Sequence, residues 1–410
     1  MDAMGTPCYR GPAGRPYDAR VRRLIALVCA LIVFDLALWS AVVPLLPHYR
    51  HALGLSTLQT AWILAAFSLA VIVVAVPMGH LADRIGPRLV TAIGTLSMAV
   101  ATAALALASS FGELMVARVF QGAADAAVWG AGLAWVAARA PIERRGEAVG
   151  YAQVAATIGV ITGPFIGGVV TTTFGIRPTF LGMTGLFAVL LVLIALEPDA
   201  RVEDHRRTGM VAALRASLGE SLITASVGMI LVVALVGGAL QLLVPLHLSS
   251  LGVDRSGIGL VYSVGAVLGA GVVIITSRIG DRVGRVPLAA GACAALAVLT
   301  ACFALPAGIA VFVGLVIACS GAQSILYAVG YPLSTDGADR ARLGHGVVLG
   351  VVNLMWGIGA VVGPVAGSRL ADWQGTRASY ALLAVICAAT AVVFVRVQRG
   401  PASAGSQIGR

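Results

Sequence analysis

The chain has 410 residues, of which 59% are hydrophobic and 11% are charged. Soluble domains carry about 25% charged residues, so this composition excludes an ordinary soluble fold. The formal net charge of +10 would point to nucleic acid in a soluble protein. Here its meaning depends on where the arginines lie relative to the apolar segments.

A helix of about 20 apolar residues is long enough to cross a bilayer. Twelve such runs, bounded by charged or turn residues, predict an all-α membrane protein with twelve transmembrane helices. The predicted runs are 24–46, 57–78, 89–109, 112–138, 147–170, 178–196, 221–247, 256–277, 287–306, 308–333, 346–368 and 378–396.

The arginines are distributed unevenly between the two sides that these runs define. Twenty-two of the 28 arginines lie in the tails and in the connections on the side of the termini, five lie in the opposite connections, and Arg118 lies within a run. Cytoplasmic segments of membrane proteins are enriched in basic residues. The asymmetry predicts a multi-pass protein with both termini in the cytoplasm, and it accounts for the net charge without nucleic acid.

The first run carries a carboxylate near its middle. Asp35 lies there, and Trp39 follows it by one helical turn. An ionisable group at membrane depth costs about 2.5 to 3.5 kcal/mol on the insertion scale, so its presence indicates a function. Desolvation favours the protonated form of a carboxyl group, whereas a nearby arginine or a cationic ligand favours the ionised form. Asp35 is therefore predicted to hold either a proton or a cationic substrate.

The connection between the second and third runs, residues 79–88, reads Gly-His-Leu-Ala-Asp-Arg-Ile-Gly-Pro-Arg. Its glycines permit a tight turn and close helix approach. Asp83 is suited to accept hydrogen bonds at the N-terminus of a neighbouring helix, where the helix dipole favours a negative charge.

The fourth run holds a second set of deep polar residues. Arg118, Gln121, Asp125 and Trp129 recur at spacings of three and four residues, which places them on one stripe of a helix. Aromatic rings beside a carboxylate suit a lipophilic cation, through a cation–π attraction worth about 0.5 to 2 kcal/mol. The alternative is that Arg118 and Asp125 only form an internal ion pair that holds the helices together.

Three segments of the first half recur in the second half, in the same order and at offsets of 198 to 201 residues. The pairs are 43–45 with 244–246, 83–86 with 281–284, and 159–168 with 359–368. These recurrences indicate a duplicated bundle. In the last pair, glycines repeat every four residues and a proline kinks the helix. Glycine packing alone is the simpler alternative to a role in gating.

The longest polar segment divides the chain into two halves. We expect a cytoplasmic N-terminal tail at 1–23, a six-helix bundle at 24–196, a cytoplasmic linker at 197–220, a second six-helix bundle at 221–396 and a cytoplasmic C-terminal tail at 397–410.

Four motifs resemble those of the major facilitator superfamily. Residues 79–88 are similar to its signature loop between helices 2 and 3, and residues 118–122, Arg-Val-Phe-Gln-Gly, to its helix 4 motif. Residues 159–168 resemble the Gly-Pro motif of antiporters, and residues 44–47, Pro-Leu-Leu-Pro, resemble the end of helix 1 in the twelve-span drug:proton antiporter group. The first run, with Phe34-Asp35, also looks locally like helix 1 of the vesicular amine transporters.

The resemblance implies two six-helix bundles around a midplane cavity, alternating access, and a proton gradient as the energy source with no cofactor. It implies proton coupling through Asp35, Asp125 and Arg118. Asn, Gln and Tyr also hydrogen-bond helices together without touching substrate. The residues expected to bind substrate are Asp35, Trp39, Gln121, Asp125, Trp129, Gln241, Gln323, Tyr327, Asn353 and Trp356.

The resemblance further implies a cytoplasmic latch, in which Asp83 contacts the start of helix 11 near His345 and Asp281 and Arg282 act likewise on the first half. A static loop is the alternative. The residues expected to take part in conformational gating are Gly79, Asp83, Arg84, Gly86, Arg88, Asp281, Arg282, Gly159, Gly163, Pro164, Gly363 and Pro364.

The sequence thus predicts a proton-coupled antiporter of the plasma membrane that exports a small lipophilic compound, cationic or an amine. The alternatives are proton-coupled uptake of a small metabolite and a non-transporting membrane sensor. We expect lipid, substrate and protons as partners, no nucleic acid, and a monomer. No His or Cys spacing matches a metal site, and no nucleotide-binding or catalytic motif occurs, so neither a metal nor an enzymatic activity is expected.

Overall fold

The computed structural model describes residues 17–141, 144–199, 215 and 219–399. Within these ranges the chain forms helices and no strand, which confirms the all-α expectation. We number the long helices α1 to α12: Ala19–Ala41, Thr57–Ile85, Pro87–Leu107, Phe111–Arg139, Arg145–Phe165, Ile176–Leu196, Ser221–Ser250, Arg255–Val283, Arg285–Cys302, Ile309–Ala341, His345–Gln374 and Thr376–Arg399.

Short helical segments extend two of these helices. A 3₁₀ turn at Val43–Leu45 and a helix at Leu46–Ala52 follow α1. A π-helical segment at Ile166–Val170 and a turn of α-helix at Thr171–Phe174 follow α5, directly after Pro164. Proline has no N–H to donate within a helix, and π-helical turns accommodate such interruptions.

In the described part of the chain, eleven helices are long and apolar enough to cross a membrane. Of the twelve long helices, α4 is the exception. It carries Arg118, Gln121 and Asp125, whose polar side chains lower its hydropathy. The protein is therefore a multi-pass membrane protein, and, among the described long helices, the one without a sufficiently apolar stretch is the helix that holds the deep polar stripe.

The helix ends follow local side-chain chemistry. Asp18 Oδ1 accepts a hydrogen bond from Val21 N at 2.7 Å, so α1 begins at Ala19 and not at residue 24. Ser56 and Gln59 form a reciprocal capping box that starts α2. At the other end of the chain, α12 continues past residue 396 to Arg399.

Glycines with positive φ mark the duplication in three dimensions. The six such glycines in the described part fall into three pairs at equivalent positions, Gly54 with Gly252, Gly86 with Gly284, and Gly175 with Gly375. In the second and third pairs, the φ angles of the partners agree within 3°, at 93° and 93° and at 89° and 86°. Residues with a side chain rarely adopt this conformation, so the turns before α3, α9, α6 and α12 depend on glycine.

Each half has its own apolar core. One cluster of buried side chains comes from α1 to α6 and their connections, joined by Leu242 of α7, and the other comes from α7 to α12. Within each core the same pair of helices packs closely, α1 with α5 and α7 with α11. Residues 200–214 and 216–218 of the predicted linker lie outside the described residues.

Candidate substrate cavity and buried charge cluster

A cavity of about 440 Å³ lies between the two halves. Helices α1, α2 and α5 of the first half and α7, α8, α10 and α11 of the second half line it. Five of the residues predicted to bind substrate lie in this wall: Trp39, Gln241, Gln323, Tyr327 and Trp356.

Aromatic rings form one side of the cavity and connect the halves. The ring centroids of Trp39 and Trp356 are 6.3 Å apart, and those of Trp39 and Phe67 are 6.4 Å apart. Trp356 Nε1 donates a hydrogen bond to the Tyr327 hydroxyl at 3.2 Å. The aromatic side chains thus provide flat apolar surface and, through Tyr327, a hydroxyl that still has its own proton to donate.

Uncharged polar groups occupy other parts of the wall. Gln153 of α5 faces the cavity as do the two predicted glutamines, and Tyr262, Ser320 and Ser324 also line it. None of the sequence patterns described above singles out these four residues. A usable signal was the i, i+4 spacing of Gln153 with Thr157 and of Ser320 with Ser324 within apolar helices, since such pairs lie on one face.

The two halves meet at the end of the bundle where α5 finishes and α8 begins. A Cβ atom placed on Gly168 would lie 2.7 Å from the Cα atom of Gly259, so the two main chains are in direct contact. Nearby, Ser263 Oγ donates a hydrogen bond to the carbonyl oxygen of Ile161 at 3.0 Å. These contacts close that end of the cavity.

The predicted proton-coupling carboxyl groups lie behind the cavity wall, inside the first half. Asp35 is 0% exposed, and its Oδ2 accepts a hydrogen bond from Trp129 Nε1 at 3.2 Å. The carboxyl group of Asp125 lies within hydrogen-bonding reach of the Asp35 carboxyl group. Among the described residues no hydrogen-bond donor reaches Asp35 Oδ1.

Arg118 is 0% exposed and is held by neutral partners. Its Nε donates to the carbonyl oxygen of Ile63 at 2.8 Å, its Nη1 donates to Gln121 Oε1 at 2.5 Å, and its guanidinium carbon lies 4.9 Å from the centre of the Phe67 ring. None of the ion pairs formed among the described residues includes Arg118, so the geometry does not show the internal ion pair with Asp125 that the sequence left open.

Asn353 lies elsewhere. Its Oδ1 accepts a hydrogen bond from the Tyr331 hydroxyl at 3.0 Å, and the side chain is exposed outside the cavity wall. The predicted substrate residues therefore fall into three places. Some line the cavity wall, Asn353 stands alone, and Asp35, Gln121, Asp125 and Trp129 cluster with Arg118 inside the first half, where Asp125 and Trp129 are only partly buried.

The predicted gating loop contacts the end of α6 in this structure. Arg88 Nη2 donates to the carbonyl oxygen of Ala195 at 2.8 Å, and a Cβ atom on Gly86 would lie 2.6 Å from Asp199 Oδ2. The side chains of Asp281 and His345 lie outside the described residues. The latch between Asp83 and the start of α11 stays a prediction, as do its counterpart at Asp281 and Arg282 and the gating roles of Gly79 and Arg84.

The glycines of the repeated Gly-Pro segments pack mainly within each half. Cβ atoms on Gly159 and Gly163 would overlap α1, and Cβ atoms on Gly359 and Gly363 would overlap the main chain of α7. In α7, a Cβ atom on Gly238 would lie 2.9 Å from Cδ of Pro364. The small residues thus bring α5 onto α1 and α11 onto α7.

Comparison with known proteins identifies the class. The family model described as Major Facilitator Superfamily matches residues 28–347 and 230–409, so the chain belongs to that superfamily of membrane transporters. The fold agrees: a bacterial homolog of the human lysosomal transporter Spinster, solved in an inward-facing and occupied conformation, aligns with a TM-score of 0.77 and 14% identity over 94% of this chain and 98% of that one.

Among named relatives, Multidrug resistance protein MdtG of Enterobacter lignolyticus is 25% identical over 374 residues, which cover 87% of each chain. Quinolone resistance protein NorA of Staphylococcus aureus is 29% identical over 154 residues, 37% of this chain and 40% of NorA. An MFS-type transporter of Methanocaldococcus jannaschii is 32% identical over 158 residues, 38% of this chain and 41% of the relative. These last two alignments span less than half of each relative. The predicted resemblance to the drug:proton antiporter group is confirmed.

Proposed function

We propose that the protein is a proton-coupled antiporter that exports small lipophilic compounds from the cytoplasm across the plasma membrane. In this proposal α4 crosses the membrane as the twelfth span, and both termini are cytoplasmic. The observation that carries the proposal is the carboxyl pair of Asp35, which is buried, and Asp125, which is partly buried, behind a cavity that both halves line.

The pair has the chemistry of a proton carrier. Two carboxyl groups within hydrogen-bonding reach and largely shielded from water tend to share a proton, because two full negative charges at that distance repel strongly in a low dielectric. The buried Arg118 guanidinium is the nearby positive charge that offsets the remaining negative charge. Loading and unloading one proton thus changes the net charge of a buried cluster, and a buried net charge is costly.

Helix α1 joins that cluster to the cavity. Asp35 faces the first-half interior, whereas Leu36, Trp39 and Ser40 of the same helix line the cavity. Trp39 in turn contacts Trp356 of the second half. A change in the charge of Asp35 that moves or rotates α1 would therefore alter both the cavity wall and the contact between the halves.

In this proposal, α1 is the element through which proton binding at Asp35 and substrate binding in the cavity change the balance between the two conformations. Alternating access needs a difference in free energy between the two conformations that proton binding and substrate binding change in opposite directions. The family, the MdtG and NorA relatives and the buried pair support antiport, while the direction of transport and its coupling are the parts under test.

The test uses purified protein in liposomes that contain a pH-sensitive dye, with neutral chloramphenicol and zwitterionic norfloxacin as two separate transported probes. For the wild-type protein, a gradient of at least one of these probes should drive protons in the opposite direction. We expect Asp35→Asn and Asp125→Asn each to abolish this coupled proton movement. Asp372→Asn, an exposed position at the end of α11, is the matched control and should retain it.

Two results would contradict the proposal. Unchanged coupling in both Asp35→Asn and Asp125→Asn would remove these residues from the proton path. Proton movement in the same direction as the probe would indicate symport and would favour uptake over export.

A further inference from the structure

The cavity wall carries no charged side chain. Among the described residues that line it there is no Asp, Glu, Arg or His. The nearest carboxyl groups, on Asp35 and Asp125, do not reach the cavity surface, and Asp35 is 0% exposed. A ligand in this cavity therefore meets only neutral groups.

A cationic ligand would fit such a wall poorly. An ammonium or similar group that leaves water loses its hydration, and the loss is recovered only where an opposite charge or several hydrogen-bond acceptors replace it. Cation–π attraction to Trp39 or Trp356 offsets a small part of that cost.

The wall offers instead a set of free neutral hydrogen-bonding groups. Gln153 of α5, Gln241 of α7 and Gln323 of α10 line the cavity from three helices. In the described part of the chain, no group hydrogen-bonds the side-chain amides of these three glutamines. Each amide presents a carbonyl acceptor and an NH₂ donor. Neutral ligand groups such as amides, ketones and hydroxyls match them.

The remaining wall is apolar and aromatic, with Trp39 and Trp356 as its largest flat surfaces. The volume of about 440 Å³ lies within the range of about 300 to 1,000 Å³ that drug-sized ligands occupy.

Given the transport function proposed above, on which this step rests, we infer that the substrate is a neutral amphipathic compound with an aromatic or alicyclic body and several uncharged hydrogen-bonding groups. This replaces the cationic or amine substrate expected from the sequence. The substrate and the proton then occupy separate sites, the substrate in the cavity and the proton on Asp35 and Asp125, and they interact only through α1.

Equilibrium binding to purified protein in detergent tests this inference without any gradient. The neutral probes are chloramphenicol and adenosine, and the permanent cations are ethidium and tetraphenylphosphonium. Calorimetry gives each dissociation constant. We expect at least one neutral probe to bind at least about tenfold more tightly than both cations, which corresponds to about 1.4 kcal/mol of binding free energy.

Substitutions in the cavity wall and at an exposed position distinguish the contribution of the cavity glutamines to binding from nonspecific effects of substitution. Gln241→Leu and Gln323→Leu should each weaken binding of the neutral probe about tenfold, because an amide that pairs with the ligand is lost. Gln374→Leu, at the exposed end of α11, is the matched control and should bind like the wild type. Gln241→Glu places a carboxylate in the wall and should strengthen the binding of ethidium while it weakens that of the neutral probe.

Cations that bind as tightly as the neutral probes, or a complete lack of binding by the neutral probes, would overturn the inference. A lack of any gain in ethidium binding by Gln241→Glu would also overturn it, provided that an unchanged thermal unfolding curve shows the variant to be folded. The proposed function fails on a different measurement, the coupled proton movement in liposomes, so the two failures are distinguishable.

Discussion

Arg118 combines full burial with partners that are all neutral. A guanidinium group offers five donors in a planar fork, and here one donor reaches the main chain of α2 at Ile63 while another reaches Gln121 within α4. The guanidinium group of Arg118 also lies over the ring of Phe67, which belongs to the same helix as Ile63. Arg118 therefore joins α2 to α4 through its shape as well as its charge.

Replacing Arg118 by Lys keeps the charge and removes the fork. One ammonium group on a flexible chain cannot reproduce the Nε bond to Ile63, the Nη1 bond to Gln121 and the contact with Phe67 together. We expect Arg118→Lys to destabilise the protein by about 1.5 to 3 kcal/mol, the range for a hydrogen bond to a charged group. Thermal unfolding in detergent measures this.

Arg369→Lys is the matched control for this substitution. Arg369 is exposed near the end of α11, and its replacement should leave the unfolding midpoint unchanged within about 0.5 kcal/mol. Equal unfolding curves for Arg118→Lys and the wild type would show that the fork geometry contributes nothing.

The sequence identifies Asp35, Arg118 and Asp125 because a charge within an apolar run is rare and costly. It does not show which side of the cavity wall they lie on. That depends on the rotation of α1 and α4 about their axes, which their packing against several other helices determines. For Gln153 the difficulty is different, since a single amide in the first half of α5 carries little information until its neighbours are known.

At the scale of elements, glycine determines how closely helices approach. In α5 a Cβ atom on Gly163 would overlap the main-chain oxygen of Ala37 and the hydroxyl of Ser40, both in α1. In α11 the equivalent Gly363 meets the main chain of α7 at Leu235. Main-chain atoms of a helix cannot move aside as a flexible side chain can, so any side chain here forces the helices apart.

We therefore expect Gly163→Ala and Gly363→Ala each to lower stability, by about 1 to 3 kcal/mol, the usual cost of overpacking. Gly182→Ala in α6 is the control, because nothing lies within 4 Å of the Cβ position there. Alanine also favours helix more than glycine does, so the control should be neutral or stabilising. Thermal unfolding of the three variants in one detergent compares them, and a stable Gly163→Ala would contradict the packing.

The repeated Gly-Pro segments were predictable as a pair, since their spacing appears in the sequence at both positions. Their partners were not. Small residues every four positions show that something packs closely, without showing that the neighbour is α1 in one half and α7 in the other. The π-helical turn after Pro164 also has no equivalent in the described α11, although Pro364 occupies the same position, so one motif gives two backbone geometries.

At the scale of the whole molecule, the two halves share a frame and differ in chemistry. The paired glycines of positive φ give both halves the same turns, whereas Asp35, Arg118 and Asp125 all belong to the first half. The sequence predicts this division, because helix order, turn residues and deep charges can be read along the chain. It does not predict where the halves touch, because that contact belongs to one conformation of a molecule that must adopt at least two.

The contact between Gly168 and Gly259 makes that conformation testable. It joins the halves and lies outside both apolar cores, so a side chain there should oppose closure of this end without unfolding either half. We expect Gly168→Leu to fold normally and to lose transport at least about tenfold, because a bulky residue raises the free energy of the closed conformation by about 1.4 kcal/mol or more. Gly185→Leu in α6, with nothing within 4 Å of its Cβ position, is the control.

The position of the block can be measured with a single cysteine. Val244 of α7 lines the cavity near the closed end and is 1% exposed. If both termini are cytoplasmic, as proposed, the end of α5 at Gly168 faces outward. In a cysteine-free background, Val244→Cys should then react slowly with a membrane-impermeant maleimide added from outside, and Gly168→Leu should accelerate that reaction because it holds this end open. Faster labelling together with lost transport would show that the halves must come together at Gly168 in each cycle. Normal transport in Gly168→Leu would show that this contact is not part of the cycle, and the closed end would then have to form through other residues.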